Sequence, residues 1–184
     1  MRFIRWKSLL LCFVAAVLFG IGVKTYVAEG IVVPTGSMLP TIQENDRFLI
    51  EKLVPLTRFE FGDIVVFYPP VPEKEKERFI KRLIGLPGDT IEVKEGSLYR
   101  NGEQWNEPYL QEEMTYTFGP VTVPSGHYFM LGDNRNISYD SHLWEDPFVP
   151  RDQLIGKVVC RFYPFSDFST MQTASATLQQ EAVE

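Results

Sequence analysis

Hydrophobic positions fall into two regimes along the chain. Near the N-terminus, Arg2, Arg5 and Lys7 precede an uncharged run of 16 residues, Ser8 to Val23, that reads SLLLCFVAAVLFGIGV. A helix crosses a bilayer with about 20 apolar residues. Counting from Ser8 to Ala28 gives 21, with the Lys24 ammonium reaching the headgroups and Tyr26 in the interfacial belt. Residues 1–29 are therefore expected to be a short N-terminus followed by a transmembrane helix. Basic residues before the run and Glu29 after it favour a cytoplasmic N-terminus. A cleaved secretory signal shares the positive-then-apolar pattern, but Val23 to Gly30 contains no A-x-A-like site, so an uncleaved anchor is the preferred reading. On either reading the chain beyond Glu29 is expected on the far side of a membrane.

From Gly30 onward the apolar runs are short. Strands are predicted at Ile31–Val33, Arg47–Val54, Asp63–Tyr68, Arg78–Leu86, Thr90–Val93, Ser97–Arg100, Thr122–Val123, His127–Leu131 and Leu154–Phe162. These segments are rich in Val, Ile, Phe and Tyr and are bounded by Gly, Pro, Asn or Asp. Lys94-Glu95-Gly96 and Asn101-Gly102 read as hairpin turns. No segment after residue 30 sustains a helical period over twelve residues. The expected fold class is mainly β: twisted antiparallel sheets in a barrel-like domain over residues 30–165, on one N-terminal helix. Residues 166–184, rich in Ser, Thr, Gln, Ala and Glu, are expected to form a disordered tail.

Charge sharpens this division. The first 29 residues hold four Lys/Arg and one Glu; the remaining 14 basic and 23 acidic residues give the rest of the chain a net charge of −9. An acidic domain lacks the basic face that phosphate neutralisation requires, so no nucleic-acid partner is expected. Cys12 lies in the apolar run and Cys160 near the end of the β region, so the two are not expected to pair. Nothing in the sequence indicates a metal or cofactor, and oligomeric state is unknown from it.

Three clusters could carry chemistry. In Pro34-Thr35-Gly36-Ser37-Met38-Leu39-Pro40-Thr41 a serine sits beside glycine between two prolines, on a stiff loop able to present a hydroxyl and aim backbone N–H groups; a plain turn uses the same residues. A serine hydroxyl needs a base. His127 lies in an apolar strand, whereas His142 follows Asp140 and Ser141 and would suit a Ser-His-Asp arrangement. Lys81 is the other choice: on a strand it shares a face with Phe79 and Leu83, a setting that removes water and lowers an amine's pKa. Arg82 stays charged and serves as an ion-pair partner. The polar loop Gly132 to His142 needs internal hydrogen bonds, which Ser138, Ser141 and Asp140 could supply. These patterns leave both bases open.

In this order, the serine loop, Gly62-Asp63-Ile64-Val65-Val66-Phe67, Lys81-Arg82-Leu83-Ile84-Gly85-Leu86-Pro87-Gly88-Asp89 and Gly132-Asp133-Asn134-Arg135 with Ser138-Tyr139-Asp140-Ser141 resemble the type I signal peptidase family, as far as about Pro164. The resemblance implies a Ser/Lys-dyad endopeptidase that cleaves signal peptides from exported preproteins, after small residues at −1 and −3. It implies Ser37 as nucleophile and Lys81 as general base, with the Thr35 hydroxyl and the Ser37 N–H as the oxyanion hole. It also implies that Ser138 orients the lysine, that Asp133 and Arg82 form a supporting ion pair, that Asp140 is a structural acid, and that Val33, Met38 and Ile80 line the substrate pockets.

The chain departs from the family's commoner pattern. His142 stands where that pattern has Arg, and Asn136-Ile137 where it has Asp-Asn; the family's Arg pairs with the acid at Asp140, so that pair is expected to be weaker and pH-dependent here. An Asn-rich loop with His resembles cyanobacterial and plastid members, which points to a cytoplasmic or thylakoid membrane. The partners implied are signal-peptide-bearing preproteins and membrane lipid. Rival readings are a self-cleaving Ser/Lys protease, normally soluble and fused to a DNA-binding domain, and a non-catalytic anchored β-domain binding an exported partner. A Ser-x-x-Lys site fails because Pro40, not lysine, lies three residues after Ser37.

Overall fold

The computed structural model describes residues 2–171. One helix, α1 (Arg2–Tyr26), leads into twelve strands: β1 (Ala28–Val32), β2 (Arg47–Glu51), β3 (Ile64–Phe67), β4 (Phe79–Gly85), β5 (Thr90–Lys94), β6 (Ser97–Arg100), β7 (Glu103–Trp105), β8 (Phe118–Thr122), β9 (His127–Leu131), β10 (Phe148–Pro150), β11 (Leu154–Tyr163) and β12 (Ser169–Thr170). In α1, Leu9, Phe13 and Phe19 remain about two-thirds exposed or more, so they pack on no protein surface. The 21 residues from Trp6 to Tyr26 are long and apolar enough to cross a membrane, about 30 Å at the rise of an α-helix. The helix stops at Tyr26 and Ala28 is already paired with Glu51, so strand structure begins inside the segment expected to be anchor.

All pairings are antiparallel. The larger sheet runs β1-β2-β11-β3-β4-β9-β10, with β12 added to β11; the smaller runs β7-β6-β5-β8. The expectation of mainly antiparallel β structure holds, but the barrel-like form is corrected: the larger sheet leaves β1 and β10 at its edges and does not close on itself. β12 pairs Ser169 and Thr170 with Arg161 and Cys160, and Met171 packs on the core, so ordered structure extends past the expected boundary at 165. The rest of the expected tail, residues 172–184, lies outside the described residues.

Three strands were not expected, β7, β10 and β12, and β8 was expected only at its end, as Thr122–Val123. β8 and β10 each contain a proline, Pro120 and Pro150, which cannot donate to a ladder. Both are edge strands, the place in a sheet where proline is tolerated. The Asn101-Gly102 turn forms as expected between β6 and β7, both residues at positive φ (55° and 83°), the geometry that favours Asn-Gly in a tight hairpin.

The core forms three clusters, and β4 runs through all of them. Ile80 packs with Val33, Met38 and Ile42; Leu83 and Phe79 with Phe67 and Met130; Ile84 with Ile91 and Phe129. β4 is hydrogen-bonded on both sides, Val65 opposite Lys81 and Leu131 opposite Arg82. The one lysine on this strand is therefore fixed in mid-sheet, with no freedom to slip to solvent.

Candidate active site

After β1 the chain is extended at Thr35, makes a single 3-10 turn over Gly36–Met38 and is extended again at Leu39. The fully buried Met38 holds the turn down against the core, and Ile42 N–H donates to the Met38 carbonyl at 2.9 Å. Ser37, on the other side of the turn, is half-buried and opens into a cleft of about 520 Å3. Thr35, Phe79, Ile80, Lys81, Ile137 and Tyr139 also line it.

Lys81 reaches this serine from β4. Its Nζ is 2.5 Å from Ser37 Oγ, although the two residues are 44 positions apart. Lys81 is only 4% exposed. Burial lowers its pKa from 10.5 to about 8, while the negative charges of Asp140 and Asp133 hold it up. Phe79 and Leu83, which share the lysine's face, belong to one core cluster, so the alternation expected for this strand is realised. The Thr35 hydroxyl lies 3.4 Å from Ser37 Oγ. A neutral amine beside an accessible hydroxyl is the arrangement that nucleophilic acyl transfer requires.

The histidine alternative is not assembled. His142 Nδ1 is 2.6 Å from Asp140 Oδ1 and its ring stacks on Tyr116 at 3.9 Å, while His127 pairs with the Ser125 carbonyl. Ser37 Oγ has Lys81 and Thr35 as its hydrogen-bonding neighbours. Asp140 is fully buried; its other oxygen accepts the Gly132 N–H at 2.8 Å, so it braces the loop from inside.

Arg82 and Asp133 form a buried bidentate pair, 2.8 and 2.6 Å, and the guanidinium lies over the Tyr109 ring. Asp133 also accepts a hydrogen bond from Thr41 Oγ1 at 2.5 Å, so one carboxylate ties the serine segment to β4. Ser138 is buried beside the site, yet its Oγ has no hydrogen-bond partner among the described residues, and no bond to Lys81 is formed. At Gly132 a side chain is impossible: a Cβ would stand 2.2 Å from Ser138 Oγ and 2.4 Å from the Ser37 carbonyl oxygen. Ile80 lines both the main cleft and an adjoining hollow of about 250 Å3; Val33 lines the hollow, and Met38 lies beneath the surface.

Sequence reasoning missed three residues here. Asn134 donates its backbone N–H to the Ser37 carbonyl and its side-chain amide to that of Gly36. Arg135 forms a buried pair with Glu107 at 2.6 Å and donates to the Gly132 carbonyl. Asn134 and Arg135 stood in the quoted motif without a role; Glu107 carried no signal, because its partner is 28 residues away.

Comparison with known proteins follows this geometry. The family described as "Signal peptidase, peptidase S26" matches residues 6–163. The chain is 48% identical over 163 residues to a "Probable signal peptidase I-2" of Synechocystis sp., covering 86% of this chain and 74% of that protein. It is 44% identical over 158 residues to a "Signal peptidase I" of Leptolyngbya laminosa, covering 81% and 75%. With the "Thylakoidal processing peptidase 1, chloroplastic" of Arabidopsis thaliana it shares 37% identity over 163 residues, covering 84% of this chain and 47% of that one.

Proposed function

Since this chain belongs to the signal peptidase family, peptidase S26, and is a membrane-associated serine endopeptidase that removes signal peptides, we propose that Ser37 and Lys81 perform the reaction as nucleophile and general base. The observation that carries this reading is the 2.5 Å approach of a buried amine to a half-exposed hydroxyl.

Neutral Lys81 Nζ takes the Ser37 proton as Oγ attacks the scissile carbonyl carbon of a preprotein. The carbonyl oxygen becomes an oxyanion, which the Ser37 N–H and the Thr35 hydroxyl stabilise. The Lys81 ammonium then protonates the leaving amine, and the C–N bond breaks to leave an ester on Ser37. Lys81, neutral again, deprotonates a water that attacks this ester, and the returned proton restores Ser37. Asp133 and Arg82 tie the serine segment to β4, and Asp140 holds the loop that carries Ser138.

Ile80 and Val33 shape a narrow apolar floor that accepts small side chains at −1 and −3, with Met38 as its support. The substrates are signal-peptide-bearing preproteins. Exit of the chain from α1 into β1 keeps the cleft close to the lipid surface, where a cleavage site emerges. The N-terminus is cytoplasmic and the β domain lies on the exported face of a cytoplasmic or thylakoid membrane.

Ser37→Ala and Lys81→Met should each abolish cleavage of a preprotein in detergent while far-UV circular dichroism stays that of the parent. Full activity in Lys81→Met would end the dyad reading.

A further inference from the structure

We infer that Asn134 is a positioning residue for the oxyanion site, fixing the direction of the Ser37 amide through the two carbonyl groups that flank it. This rests on the reading of Ser37 as nucleophile. The first N–H groups of a helical turn have no carbonyl partner inside that turn. Ser37 lies within such a turn, Gly36–Met38, so its N–H is available to an incoming oxyanion but is not held by the turn itself.

Its direction is set by the peptide group it belongs to. Gly36–Ser37 is not among the cis bonds of the chain, so the Ser37 N–H points opposite to the Gly36 carbonyl in one rigid plane. The Asn134 side-chain amide donates to that carbonyl at 3.3 Å, beside Leu39 N–H at 3.2 Å. The backbone N–H of Asn134 donates to the next carbonyl, that of Ser37, at 3.1 Å. Swinging the Ser37 N–H away from the cleft means rotating this plane and breaking the Asn134 contact. A donor on the carbonyl oxygen also polarises the peptide group, which strengthens its N–H as a donor.

Asn134 can do this because it is itself anchored. Asp133, its neighbour, is held by Arg82 and Thr41, and the Asn134 carbonyl accepts N–H groups from Ile137 and Ser138 at 3.2 and 2.9 Å. Gly132 lets the two loops meet, since any Cβ there would strike the Ser37 carbonyl. Asn134 lines the cleft, and both hydrogen bonds it donates go to carbonyl groups of the turn, so it is assigned to act through the Ser37 amide.

The test uses the full chain in detergent, with Asn134→Leu as the near-isosteric loss of the donor, Asn134→Ala as a second form and Ser37→Ala as reference. Five quantities are read: kcat, KM, the acid limb of the pH profile, affinity for a non-cleavable peptide, and affinity for a peptide aldehyde, whose adduct with Ser37 places an oxyanion in the hole. The non-cleavable peptide gives ground-state affinity. Loss of a direct oxyanion donor removes about 10²–10³ in rate, and a mispositioned donor should remove about 10- to 100-fold. The expected result is that fall in kcat, an equal loss of aldehyde affinity, and unchanged KM, non-cleavable-peptide affinity and acid limb. Unchanged kcat in both variants, or equal losses of aldehyde and ground-state affinity, would overturn the role. Full cleavage by Ser37→Ala would instead bring down the catalytic reading itself, and this role with it.

Discussion

Replacing Lys81 by methionine should do more than remove activity; it should change how stability depends on pH. Lys81 is 4% exposed, and burial lowers its pKa from 10.5 to about 8 against the opposing pull of Asp140 and Asp133. Each displaced unit corresponds to about 1.4 kcal/mol, so the full displacement is worth about 3 kcal/mol. The unfolded chain keeps this proton until the pH passes about 10.5, whereas the folded chain releases it near 8. Between those values the unfolded state binds more protons, so stability rises with pH through this window and is lost as the pH falls back through about 8. Methionine carries no such proton. The stability of Lys81→Met relative to the parent should therefore be greatest below pH 8 and shrink by about 3 kcal/mol by pH 10.5. All other titrating groups are common to both proteins and cancel in the difference. Urea titrations of the full chain in mild detergent, followed by the fluorescence of Trp105 and Trp144, give that difference at each pH. A gap constant across the window would refute the claim that the fold disfavours the charged amine.

Two further outcomes follow from the packing around the dyad. Asp133→Ala should destabilise the fold by about 3–5 kcal/mol, because it leaves the Arg82 guanidinium buried without its carboxylate; Arg82→Met combined with Asp133→Leu should cost less than that single change, as chemical denaturation will read. Thr35→Val should lower kcat by about 10²–10³ in single-turnover cleavage while Thr35→Ser keeps most of it, and equal rates in all three proteins would remove Thr35 from the oxyanion hole.

Local pattern reached the central strands and the dyad, and lost what depends on distant partners. β4 was legible because Phe79, Lys81 and Leu83 alternate with Ile80, Arg82 and Ile84, and a strand buried on both faces must carry apolar residues on both. The same alternation put Lys81 between two apolar side chains, though only the fold brings it to Ser37, and a histidine remained equally open. All but the end of β8, and the whole of β10, were hidden by Pro120 and Pro150, which read as breakers until the sheet order places both strands at edges. β12 has two residues and exists only because β11 is there to pair with it. The Glu107–Arg135 pair and the Thr41–Asp133 bond join segments 28 and 92 residues apart, a separation over which no periodicity carries information. Ser138 shows the reverse: the family resemblance gives it a bond to Lys81, and the fold buries its hydroxyl beside Gly132 without one.

The dependence of kcat/KM on pH for cleavage of a preprotein probes the working amine most directly. An unprotonated Lys81 base requires activity to rise with pH along an acid limb centred at about 8, and that limb should stay in place in His142→Ala. A limb near the ordinary histidine value of about 6.5 that disappears in His142→Ala would contradict it, and would hand the proton transfer to the imidazole.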